Sequence, residues 1–145
     1  MKTLAFLLAL AAAPAMAQQV GDCDWRARAD AVAEPWDVNS RTFSNGAVRL
    51  ALIDTIEPAA MPFHLLVLSP PYDEVGGRQC KVVSYQGGMG FYDIDFAALE
   101  AAYDPAVGLI FDLPVQIWIS DGNILARRLH VTLNQATGGI TANLP

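Results

Sequence analysis

The stretch Leu109-Ile110-Phe111-Asp112-Leu113-Pro114-Val115-Gln116-Ile117-Trp118-Ile119 decides the fold. Its odd-numbered residues are all large and apolar, with Asp112, Pro114 and Gln116 between them. That is the period of a strand with one face in a core and the other in water. Asp121-Gly122 follows as a two-residue turn, and Ile124 to Asn134 returns as the partner strand. The hairpin contains a conflict of register. A two-residue loop sets Ile119 opposite Ile124 and Ile117 opposite Ala126. Continued, that pairing brings Arg128 and His130 to the apolar face and turns Leu129, Val131 and Leu133 away. One extra residue restores the apolar row, so the sequence predicts a β-bulge near Ala126 to Arg128, with Pro114 close by on the partner strand.

Toward the N-terminus the texture is again strand and turn. Phe63-His64-Leu65-Leu66-Val67-Leu68 is a continuous apolar run, short enough for a central strand buried on both faces, and Pro70-Pro71 stops it. Val48, Leu50 and Leu52 alternate with Arg49 and Ala51, which predicts a strand with one wet face. Gln79 to Tyr85 is the next strand, with Cys80 and Val82 facing inward. A short last strand falls near Ile140. Two helices are expected. Asp24 caps one from Trp25 to about Ala33, with Trp25, Ala29, Val32 and Trp36 on a core stripe and Arg26 paired to Asp30. Asp93 or Asp95 caps the other, about Phe96 to Ala102, with Phe96, Leu99 and Tyr103 on one stripe. The expected fold is mainly β: an antiparallel β-sandwich or half-open barrel with an N-terminal helix and one short crossover helix.

Met1 to Ala17 reads as a secretory signal peptide: Lys2, an apolar run from Leu4 to Ala13, Pro14, then Ala15-Met16-Ala17 as the small-x-small cleavage pattern. The run is shorter than the roughly 20 residues that span a bilayer, so no membrane insertion is expected after cleavage. Residues 18–145 then form one domain, and the expected location is periplasmic or secreted. Asp22 directly before Cys23 argues against a lipid anchor. In an oxidising compartment Cys23 and Cys80 read as a disulfide. Without Lys2, the formal net charge moves from −6 to −7. An acidic chain without a basic run is a poor match for nucleic acid or anionic membrane surfaces.

No constellation of catalytic residues stands out, and no catalytic residue, metal or cofactor is expected. His64 lies inside the most apolar strand and reads as a core histidine satisfied by one hydrogen bond. His130 alternates with Arg128 and Thr132 toward solvent. Two histidines on separate strands lack the spacing of a zinc site. Asp93 and Asp95 lack a calcium-loop pattern. Gly87-Gly88-Met89-Gly90 has neither the strand–GxGxxG–helix context nor a P-loop lysine. It sits beside Phe91 and Tyr92, and Ser69-Pro70-Pro71-Tyr72-Asp73 forms a second, stiffer loop. If both lie at one end of the sheet, Tyr72 and Gly87 to Tyr92 form a recognition surface; otherwise Phe91 and Tyr92 plug the core. The leading expectation is a non-enzymatic exported module binding another envelope protein or polymer, as accessory subunit or inhibitor. Two alternatives stand beside it: a carrier of a small apolar ligand within the sheet, and a small hydrolase using His64 with a carboxylate.

Overall fold

A computed structural model describes residues 19–145. The signal peptide read in Met1 to Ala17 lies outside the described residues. The described residues form ten strands: β1 (Gln19–Asp22), β2 (Ser40–Phe43), β3 (Val48–Asp54), β4 (Phe63–Tyr72), β5 (Arg78–Ser84), β6 (Asp93–Ile94), β7 (Glu100–Asp104), β8 (Gly108–Ser120), β9 (Asn123–Leu133) and β10 (Ile140–Asn143). The first sheet has the order β1-β5-β4-β3-β2; the second runs β10-β9-β8-β6, with β7 also on β8. All the pairings are antiparallel.

The two sheets pack as a sandwich. Val48, Leu50, Leu65, Val67 and Val83 of the first sheet share one core with Phe111, Leu113, Val115, Leu129 and Val131 of the second. Phe43 and Phe111 meet edge to face across it, ring centroids 4.9 Å apart. The apolar alternation of β8 is what feeds this core, as the period demands.

The first sheet is also buried on its other side. Residues 23–39 leave β1 at one edge and reach β2 at the opposite edge, crossing the outer face as a cover. Beneath the cover lie Ala51, Ile53, Leu66 and Val82, packed with Ala27, Ala31 and Val32. The Cys23–Cys80 disulfide pins the start of the cover to β5. Its far end is tied by Ala33 N–H donating to Leu52 O and Leu52 N–H donating to Asn39 O. Cys80 and Val82 therefore face the cover, whereas Val83 points between the sheets.

The N-terminal helix is absent: Trp25–Ala27 and Ala29–Ala31 are single 3-10 turns, broken where Arg28 is extended. The stripe is not core packing, since Trp25 and Trp36 are exposed and Arg26 and Ala31 are buried instead. Arg26 pairs with Asp24, and Asp30 with Arg28. The crossover helix shrinks to the turn Phe96–Ala98, capped by Asp95; Glu100–Asp104 is a strand because the open edge of β8 offers it a ladder.

The bulge expected near Ala126 to Arg128 is absent; the register shifts at the turn instead. Trp118 pairs with Ile124 and Ser120 with Asn123, leaving Ile119 as the extra residue, while pairing through Arg127 is unbroken. Asp121 and Gly122 take positive φ, as the tight turn requires. The slip restores the apolar row as Leu113 with Leu129, Phe111 with Val131 and Leu109 with Leu133. Near the tip the disrupted ladder can be hydrated, which makes this the least costly place for it. Pro114 fits for a related reason. Its C=O takes the Asp95 N–H, so its missing N–H faces the same side, in the gap between β6 and β7. Pro70 and Pro71 interrupt β4 without ending it: both fall in the register shift between Ser69 and Tyr72.

Candidate functional site

The two loops singled out in the sequence do not meet. Tyr72 pairs with Arg78 at the start of β5, whereas Gly87 to Tyr92 follow its end. They lie at opposite ends of the first sheet and cannot form one surface. Phe91 is fully buried and bridges Phe63, so it plugs the core. Gly90 is held where a Cβ would sit 2.3 Å from Met61 O, so the backbones there touch directly. Gly87 and Gly88 form a 3-10 turn with Gln86; Met89 and Tyr72 are exposed, and Tyr92 is half-buried.

His64 belongs to a polar network that the sequence reading missed. Register places His64 beside Ser84 on the outer face of the first sheet, and its Nδ1 lies 2.8 Å from Ser84 Oγ. Arg26 descends from the cover and donates from Nη1 to Ser84 Oγ at 2.9 Å and to Gly88 O at 3.0 Å. Asp24 receives the other side of the guanidinium, Nε at 2.9 Å and Nη2 at 2.8 Å. Arg26, His64 and Ser84 are 8 %, 2 % and 0 % exposed. Burial pushes the His64 pKa down to about 4, with the Arg26 charge acting in the same direction and Asp24 opposing. The hydrogen bond to Arg26 lowers the Asp24 pKa. A neutral imidazole fits Ser84 accepting from Arg26 and donating to Nδ1. Among the described residues no carboxylate hydrogen-bonds His64, and Ser84 has no access to solvent. The network is a clasp between cover, sheet and the Gly88 turn, with the Asp24 carboxylate held on Arg26 and not on His64.

The second sheet leaves a different feature open. The tip of the β8–β9 hairpin runs past its neighbours: β6 pairs β8 only at Val115 and Gln116, and β10 pairs β9 only from His130 to Leu133. Among the described residues, the outer edge of β9 from Asn123 to Leu129 has no strand partner. The tip is apolar on both faces. Ile117 pairs with Leu125 on the side of the core, and Trp118 with Ile124 on the side where Asp112 and Gln116 are polar. Ile119 is 48 % exposed and Ile124 42 %. Arg127 and Arg128 stand at the root, Arg128 bridging Glu100 at 3.2 Å on the surface. The signal was in the sequence: the polar positions of β8 end at Gln116, and Trp118 breaks the alternation. His130, further along β9, faces Asp112 with Nδ1 3.0 Å from Oδ1.

Asp93 and Asp95 do not converge on an ion; Asp95 Oδ1 accepts the Ala98 N–H. Among the described residues no group of His, Cys, Asp or Glu is arranged to hold a metal. No helix there is long and apolar enough to cross a membrane. No protein-family model, curated protein or solved structure matches the chain.

Proposed function

We propose that the protein is an exported, non-enzymatic binding module that docks another envelope protein along the β8–β9 tip. The observation that carries this reading is the two-stranded tip with both faces apolar and, among the described residues, the edge of β9 unpaired. An ordinary solvated ribbon has one polar face, and natural edges are kept short or covered. The fitting partner is an extended segment that adds a strand beside Asn123 to Leu129 and buries Ile124 and Leu125. Arg127 sits on that edge of a chain with net negative charge, while Arg128 is engaged by Glu100, so the partner strand carries an acidic side chain to meet Arg127. The Cys23–Cys80 disulfide and the leader pattern of Met1 to Ala17 support a periplasmic or secreted location.

The test is the size of the native particle. The protein isolated from its compartment runs as a complex, and the variant carrying both Ile124→Asp and Leu125→Asp runs as a monomer with its thermal midpoint held. A wild-type monomer, or a complex that survives both substitutions, overturns the reading.

A further inference from the structure

We infer that the outer face of the first sheet holds a binding site for a small amphipathic carboxylate, an apolar chain or ring carrying one carboxylate head. The site is a cleft of about 430 Å³ where the cover stops short of the sheet edge. That volume lies in the range of small-molecule sites, roughly 300–1,000 Å³. Leu66, Leu68 and Ala51 line its sheet side, and Trp36, Val32 and Ala29 its cover side. Trp36 is 53 % exposed, yet its indole N–H is anchored on Val32 O at 3.2 Å, so the ring is held in place as a wall. The sequence expected β3 to have a wet face here. The cover instead buries Ala51 and Ile53 and leaves Arg49 at its margin.

Arg49 supplies the polar end. Register sets it beside Leu68, and its guanidinium donates from Nη1 to Ser40 Oγ. Among the described residues it has no carboxylate within ion-pair distance. A guanidinium carries five N–H donors in a fork that matches a carboxylate, and Ser40 uses only part of that set. A half-buried arginine beside an otherwise apolar cleft therefore suits a ligand whose tail lies over Leu66 and Leu68 and whose head meets Arg49. Asp37 is the carboxylate lining the cleft, on the exposed cover loop. Its charge opposes an anion and limits affinity. This site is on the other sheet from the β8–β9 tip and stands without it.

Isothermal titration of the disulfide-bonded protein with octanoate, octanol and octylamine tests the assignment. Octanoate binds about tenfold more tightly than octanol, the worth of one charge-assisted contact, and octylamine more weakly than either. Arg49→Gln brings octanoate down to the octanol level and leaves octanol unchanged. Asp37→Asn tightens octanoate. Ala29→Trp fills the cleft from the exposed cover and abolishes binding of all the probes. Equal binding of the three probes, a preference that survives Arg49→Gln, binding that survives Ala29→Trp, or no binding of octanoate would each overturn the site.

Discussion

The two sheets bury matching apolar rows against each other, but their backs are handled differently. The first sheet has its outer face closed by residues 23–39 of the same chain, fixed at one end by Cys23–Cys80 and clasped by Arg26. The second has no such cover among the described residues. Its back is polar along Asp112 and Gln116, and then turns apolar at Trp118 and Ile124, with no described strand or cover segment over it. An apolar outer face asks for a lid. One sheet finds it within the chain; the other, on the proposed reading, finds it in a partner.

Breaking the lid gives the largest expected effect. The disulfide joins residues separated by 57 positions. Replacing Cys23 and Cys80 by serine costs about 4 kcal/mol on the chain-entropy account, read as a fall in the urea midpoint. Substitutions on the back of the second sheet, such as Gln116→Ala, stay within about 0.5 kcal/mol.

The clasp is sensitive to acid. Folded His64 titrates at about 4, below the ordinary value of 6.5. The unfolded chain therefore binds the extra proton first, and stability present above pH 6.5 is lost as pH falls toward 4. The expected loss is on the order of 3 kcal/mol, measured as urea midpoints across that window. His64→Leu removes this slope while Ser84 keeps its bond from Arg26.

Removing the clasp's cation comes next. Arg26→Ala leaves Ser84 and Gly88 O without their donor beneath the cover, at a cost of about 2 kcal/mol. Arg128→Ala on the open sheet loses only a surface pair with Glu100, about 0.5 kcal/mol or less. Equal costs for the two arginines would erase the distinction between the sheets.

What the sequence made legible follows the same division. The alternation of β8, the doubly buried run Phe63 to Leu68, the final strand near Ile140 and the cysteine pair could all be read, because period acts locally and two cysteines allow one intrachain pairing. The cover could not. Helical spacing from Trp25 to Trp36 yields to tertiary pairing: Val32 bridges Ile53 and Ala33 bonds Leu52, which holds the chain extended. Phe96 and Leu99 are buried as their stripe implied, yet Tyr103 is exposed because residues 100–104 complete the edge of β8. Arg26 and Ser84 were invisible as a pair, being 58 positions apart in the chain. The bulge was legible as a need of the register and not as a place, since either strand can hold the extra residue.

The most direct measurement places a photo-cross-linking residue at Ile124 and, separately, at Val38 on the cover of the first sheet, in living cells. Both positions are exposed. The account predicts one protein adduct from Ile124, mapping to an acidic extended segment of the partner, and none from Val38. Equal adducts from both positions, or none from Ile124, would contradict it.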